Sequence, residues 1–423
     1  MSPSSKHIAT RRAFLGGSAA LLTSVGLGLP RRAHAAAPAE RKFLFFFAGG
    51  GWDTTTILDP HFEGGVVDMD PDTALVEVGG LRYATGPDRE PVDRFFRRWG
   101  ARTAIVNGID VHSVGHDSAA QFLMTGTTAS SFADWPTLLA SRSSVEYPLP
   151  HVVFGGPSYP GTDGQAVVRA GGGTLLDLLD GSIVGYADRP APLPPHPSDR
   201  LVDTFVYDRI ADYASGRTGQ ARVRADSLLE NLDRAMELEG RRFEAGLSDL
   251  GNSLLDRAVK AAEMFRLGLS RCAILPIPGG WDSHGDNRVQ APAQVAFYEM
   301  LDELMEHLAT TPGHAATWLL DEVVVVALSE IGRTPGLNGS GGKDHWPYGS
   351  ALVTGAGVQG NRVLGATDDG LSALRIDLST GLPSPSGTLL GCEHFGLALM
   401  RLGGIDPKQV LPGVDVFEAL IRT

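Results

Sequence analysis

The chain has 423 residues, 43% of them hydrophobic and 20% charged, which excludes disorder throughout and allows a large core. Its formal charge of -13 becomes -18 for a product starting at Ala36, because Lys6, Arg11, Arg12, Arg31 and Arg32 all precede the first acid. So acidic a body is a poor phosphate-backbone binder, which sets nucleic acid aside, and Cys272 and Cys392 alone cannot build a disulfide framework or a thiolate zinc cluster, although one bridge could form.

In chain order, residues 1–35 read as a targeting segment: Thr10-Arg11-Arg12-Ala13-Phe14-Leu15-Gly16, an uncharged apolar run from Ala13 to Pro30, and Ala33-His34-Ala35 as a small-x-small cleavage site. The segment resembles a twin-arginine signal. That implies handling by the Tat export machinery, cleavage after Ala35 and a periplasmic or extracellular product, residues 36–423. The apolar run is shorter than the roughly 20 residues of a spanning helix, and the stretches around Val323 to Leu328 and Phe395 to Met400 are shorter still, so no transmembrane helix is expected in the mature chain.

Nearly continuous apolar runs at Lys42 to Phe47, Thr103 to Val106, His151 to Phe154, Cys272 to Pro276, Glu322 to Leu328 and Ala351 to Thr354 read as strands buried on both faces. Helical patterns fall at Val92 to Trp99, Ser118 to Met124, Arg200 to Ala214, Gln220 to Leu269, Ala291 to Leu308 and Glu393 to Leu402. This alternation predicts a single α/β domain with a doubly wound, mainly parallel sheet, helices on both faces and a helical insertion at about 200–270. The proline-crowded segment Ala187 to Ser198 reads as a connector, and Gln220 to Leu269 as a helical hairpin packed on the sheet.

Functional groups in such a sheet collect where strands end. The first strand is followed by Gly49-Gly50-Gly51-Trp52-Asp53-Thr54, and the second by Asp110-Val111-His112-Ser113-Val114-Gly115-His116-Asp117. Gly279-Gly280-Trp281-Asp282-Ser283-His284-Gly285-Asp286-Asn287 follows Pro276, and Ser329-Glu330-Ile331-Gly332-Arg333-Thr334-Pro335 with Gly341-Gly342-Lys343-Asp344-His345-Trp346 follows Leu328. Carboxylates and imidazoles are ligands that divalent metals accept, so four strand ends supplying them predict a metal site for one or two ions, Zn, Mn, Mg or Ca. The glycines allow close backbone approach. Blander readings compete: Asp53 as a cap or turn residue, Asp117 as the cap of a helix starting at Ser118, Asn287 and Asn338 as turn residues, and Glu393-His394 as a dipole-complementing helix start. Asp282 and His284 are the sharper pair, because alternate residues of an extended segment point the same way. The glycine run lacks the register of a dinucleotide fingerprint, and there is no Gly-x-Ser-x-Gly elbow.

The set of motifs from Ala48 to Pro347, together with the arginine pair, resembles the exported bacterial family DUF1501, which is similar in fold to the alkaline phosphatase and sulfatase superfamily. That resemblance implies an alkaline phosphatase-like sheet whose strand ends hold one or two divalent metals beside a nucleophilic Ser or Thr. Carried over by position, the metal ligands are Asp53, Asp282, His284, Glu330 and His345. The catalytic candidates are Ser113 with His112 and His116 on either side of it, Thr54, directly after the first carboxylate, and Arg333. The chain departs from the superfamily in two places: the usual Asp-His pair after the later strand is Ser329-Glu330, and Asp282 and His284 stand two apart rather than four.

The leading functional expectation is an exported metal-dependent hydrolase of a small anionic phosphate or sulfate ester, with Arg333 or Lys343 offsetting the anion's charge. The alternative is a metal-binding or scaffolding component of an exported complex, which the family's association with another exported protein supports. A mutase or transferase on the same fold is a third reading.

Overall fold

A computed structural model describes residues 40–170, 197–241 and 252–422, and residues 1–35, expected to be a signal, lie outside them. In chain order come β1 (Lys42–Phe47), the hairpin β2 (Ala74–Val78) and β3 (Leu81–Thr85), α1 (Glu90–Trp99), β4 (Thr103–Asp110), α2 (His116–Thr125), α3 (Trp135–Ser141), β5 (His151–Val153) and β6 (Val167–Arg169). Next are α4 (Pro197–Ser215), α5 (Gly219–Arg241), α6 (Leu254–Arg266), β7 (Cys272–Pro276), α7 (Gln290–Thr310) and β8 (Val323–Leu328). The short pair β9 (Gly332–Arg333) and β10 (His345–Trp346), then β11 (Tyr348–Gly355), β12 (Arg362–Leu364) and α8 (Cys392–Leu402) complete the described elements.

Eight strands form one sheet in the order β12-β4-β11-β8-β1-β7-β5-β6, and every pairing in it is parallel except those of β11 with β4 and β8. Strand alternation divides the core in two. Leu44, Phe46, Ala273, Leu275, Val323 and Val325 face α1, α6 and α7, whereas Phe43, Phe45, Ile274, Val324 and Val326 face α2, α3 and α8. Burying each such Phe, Leu or Ile side chain contributes about 1.5–3 kcal/mol, so a strand interior on both faces is apolar almost throughout, as β1 after Lys42 and all of β8 are. Ala39–Thr423 form one compact unit, and the α/β class with a mainly parallel sheet and helices on both faces is as the sequence predicts.

Several local expectations need correction. The Gln220 to Leu269 hairpin does not pack on the sheet along its whole length: among the described residues α6 enters the core, through Ala258, Ala261, Ala262, Met264 and Phe265, while Val223 and Leu228 of α5 are exposed and α5 packs with α4. The Ser253 hydroxyl and the Asp256 carboxylate reciprocally satisfy each other's backbone N–H groups in a capping box, which fixes the start of α6. Helix α2 begins two residues before Ser118 with Gly115 at its cap, so Asp117 lies in the first turn and does not cap it. Pro197 and Ser198 open α4, whereas Ala187 to His196 lie outside the described residues. Both cysteines are free and buried. Among the described residues no helix is long and apolar enough to cross a membrane.

Helix α8 also yields a packing test. A methyl group at Gly396 would overlap the indole ring of Trp135, itself 1% exposed. Gly396→Ala would gain about 1 kcal/mol on helix propensity alone, but overpacking costs about 1–3 kcal/mol. We expect a lower urea midpoint; an unchanged or higher one would show that the Trp135 ring shifts freely.

Candidate metal centre

The loops after β1, β4, β7 and β8 meet at the carboxyl ends of the parallel strands, and their glycines explain how. Gly50 has φ +126, and a Cβ there would stand 2.8 Å from the backbone nitrogen of Asp282, so the first loop lies backbone to backbone against the third. Arg333 secures the stack. Fully buried, it donates from Nε to Gly51 O at 2.8 Å, from Nη1 to Lys343 O at 3.0 Å, and from Nη2 to Gly50 O, to Trp281 O at 2.9 Å and to Asp282 Oδ1 at 2.8 Å.

Three imidazoles surround Asp282, and the tautomer of each follows from its Nδ1 partner. His116 Nδ1 lies 2.7 Å from Glu330 Oε1, His284 Nδ1 2.8 Å from Asp344 Oδ1, and His345 Nδ1 2.7 Å from Val114 O. An acceptor at Nδ1 requires the proton there, so in the neutral rings every Nε2 presents a lone pair. These three nitrogens converge on one carboxylate: His284 and His345 Nε2 stand 3.2 and 3.4 Å from Asp282 Oδ1, and His116 Nε2 is 3.6 Å from Oδ2. His284 and His345 Nε2 are 2.9 Å apart, a juxtaposition of two lone pairs that calls for a proton or a metal cation between them. One ligand atom each from His116, Asp282 and His345 lie within 4.8 Å of one another. Partial burial would raise the Asp282 carboxyl, but Arg333, then His345 and His284, hold it below the ordinary value, so it is ionised and ready to ligate. The side chain of Asp282 is 52% exposed, which leaves the centre open to ions and ligands.

Of the residues expected from the sequence, Asp282, His284 and His345 therefore come together, and His116 joins them as a fourth group of ligand type. Glu330 touches the centre through His116 and accepts a second bond from Gly50 N–H at 2.6 Å, the geometry of a group that orients a ligand. Asp53 sits elsewhere in the stack. It is buried, with its carboxylate taken by Lys343 Nζ and Asn287 Nδ2 at 2.9 and 2.8 Å and by the Thr55 N–H and hydroxyl at 3.0 and 2.7 Å. It caps the short 3-10 turn at Thr54–Thr56, much as the blander reading had it. Asn287 is no simple turn residue, because it is buried and binds both Asp53 and Ser283. Thr54 is buried in that turn, whereas Ser113 lies on the half-exposed loop leading to His116, its oxygen accepting from Gly115 N–H at 3.1 Å. His112 belongs to a different group: Asp110, Cys392 and Glu393 push its imidazole up to about 12.

Asp344, the Val114 carbonyl and Gln290, which binds Gly51 O, Trp281 O and Asp53 N–H, were not singled out from the sequence. Asp344 carried a signal, being the residue before His345. A backbone carbonyl carries none.

A family model described as "Protein of unknown function (DUF1501)" matches residues 202–375, the stretch that supplies Asp282, His284, Glu330, Arg333 and His345. The likeness to that family is carried by this stretch. His116 is the one imidazole of the centre contributed from outside the matched residues. Three solved structures are similar to it. A sulfatase from Pseudoalteromonas sp. is 13% identical with a TM-score of 0.37, covering 90% of this chain and 72% of its own. A 2-O GAG sulfatase is 12% identical at a TM-score of 0.34, with 90% and 74% covered. A protein solved with its substrate D-glucosamine-2-N,6-O-disulfate is 10% identical at 0.35, with 90% and 82% covered. No curated protein matches the sequence.

Proposed function

We propose that this chain is an exported metal-dependent hydrolase of phosphate or sulfate esters, with one divalent ion held by His116, Asp282, His284 and His345. The observation that carries the reading is the convergence of three Nδ1-anchored imidazoles on a single exposed carboxylate. Such a set of three nitrogens and one oxygen suits zinc or another borderline divalent ion better than calcium or magnesium, which take mostly oxygen. When bound there, the ion would polarise the ester oxygen and lower the pKa of a water or hydroxyl. The chain's own groups do the positioning: Glu330, Asp344 and Val114 O hold the rings, and Arg333 holds Asp282. Ser113 is the better placed nucleophile candidate, since Thr54 is buried. Arg333 and Lys343 already spend their donors on carbonyls, Asp282, Asp53 and Thr55. Offsetting the charge of the substrate anion therefore falls chiefly to the ion.

The twin-arginine pattern at Arg11-Arg12 supports export through the Tat route, the matured product being residues 36–423. Saturation of Arg333 and Lys343 also favours the second reading, a metal-binding component without turnover. Metal analysis of the mature protein, then aryl phosphate and aryl sulfate assays with Zn, Mn, Mg and Ca, separates the two. Bound ion with metal-dependent turnover is the expected result; bound ion without turnover selects the non-catalytic role, and absence of bound ion under all four conditions overturns both.

A further inference from the structure

A second group of ligand-type side chains meets where the end of β4 faces the start of α8, sharing no residue with the first centre. His112 Nε2 lies 3.0 Å from Glu393 Oε2, and the Cys392 sulfur is 3.6 Å from the same oxygen. One ligand atom each from His112, Cys392 and Glu393 fall within 4.8 Å of one another. Asp110 Oδ2 stands 3.4 Å from His112 Nδ1 and Glu393 Oε2 3.0 Å from Nε2, so the ion-free ring is held between two carboxylates, and an ion ligated by Nε2 would displace the proton there while Asp110 kept the ring oriented.

The local backbone is shaped around this ring. His112 has φ 57, a left-handed conformation unusual for a residue with a Cβ, and Asp110 Oδ1 accepts its backbone N–H at 2.8 Å. Complementing the helix dipole accounts for Glu393 in the first turn of α8, but not for a thiol and an imidazole meeting it. Both buried cysteines belong to the same apolar cluster, but Cys392 also has its sulfur beside the Glu393 carboxylate. The His112 side chain is 38% exposed, giving an ion a way in, while Cys392 closes the buried side.

We propose that His112, Cys392 and Glu393 form a second metal site for a thiolate-accepting divalent ion such as zinc, with Asp110 positioning His112. Sulfur, nitrogen and carboxylate oxygen together select zinc, cobalt or cadmium over magnesium or calcium. The ion would join the first turn of the last helix to the end of β4 across 281 positions of sequence, a structural clamp independent of the hydrolase reading.

The test uses Co2+ on the chelator-stripped mature protein, because a cobalt–thiolate bond gives a charge-transfer absorption that a centre of imidazoles and carboxylate lacks. The band should appear in the unmodified protein, survive Cys272→Ser, and persist with one equivalent of cobalt in the His284→Ala/His345→Ala protein, whose first centre is disabled. It should vanish in Cys392→Ser. His112→Asn, a substitution that tolerates the left-handed backbone, should weaken cobalt binding at this site at least about tenfold, and Glu393→Gln should do the same, so the outcome does not hang on one cysteine variant folding. Cobalt bound without the band, or a band retained in Cys392→Ser, overturns the site. A site that fails while His284→Ala still loses its own equivalent leaves the first centre standing.

Discussion

Replacing His284 with alanine is expected to remove the ion of the first centre and, with it, any ester turnover. The imidazole contributes one of the three converging nitrogens, and its loss leaves His345 Nε2 without the neighbour 2.9 Å away. Because the side chain is 44% exposed, the metal-free protein should change in stability by no more than about 0.5 kcal/mol, the usual range for surface substitutions. The difference should emerge only with metal present, as a smaller chelator-dependent shift in melting temperature. Asp344→Asn provides the graded control. It keeps the ring and alters the group at Nδ1, which also accepts from Asn338 Nδ2, and a 10- to 100-fold loss of metal affinity is typical of such a change. Metal stoichiometry and melting with and without chelator check both variants. Full occupancy in the His284→Ala protein would remove His284 from the centre and with it the main support for hydrolysis.

The layout of the sheet was legible because burial on both faces forces continuous apolar runs, and Lys42–Phe47 and Cys272–Pro276 form strands with the bounds read from sequence. Elements held by other forces were not. The β2–β3 hairpin turns at Gly79-Gly80 and is largely exposed on β2, so burial on both faces does not shape its sequence, and β12 is three residues long with its place set by pairing with β4. Helical periodicity found α5 but could not tell a core-facing stripe from an exposed one, since Leu228 reads the same either way. Within the centre, Asp282 and His284 were legible as neighbours in sequence. The orienting role of Glu330 depends on a contact with His116, 214 positions away, and no local pattern encodes such a contact. Asp53 illustrates the converse: a carboxylate after a strand is the same letter whether it awaits a metal or is saturated by Lys343.

That saturation makes Lys343→Met the most destabilising single change we expect in the stack. Lys343 is fully buried with its Nζ 2.9 Å from Asp53 Oδ2 and 3.0 Å from Thr55 Oγ1. Removing one partner of a buried pair leaves an uncompensated charge, at a cost of about 3–5 kcal/mol. The pH dependence carries the sign. Burial by itself would raise the Asp53 carboxyl, but Lys343, with Thr55 and Asn287, holds it below its ordinary value. Its contribution to stability is thus present above the unfolded carboxylate pKa of about 3.9 and lost as pH falls through the lowered folded value. Without Lys343 the effect of burial is opposed only by Thr55 and Asn287, the folded pKa rises, and protonation in acid then costs the folded state less. The gap between the two proteins should therefore be widest near neutrality and narrow on acidification, as urea unfolding at about pH 7 and pH 4 would record. A gap below about 1 kcal/mol at neutral pH, or one that widens in acid, would contradict the pairing. Asp53→Asn then decides the remaining role of this position: retained metal stoichiometry assigns Asp53 to the scaffold, and a lost equivalent returns it to the ligands.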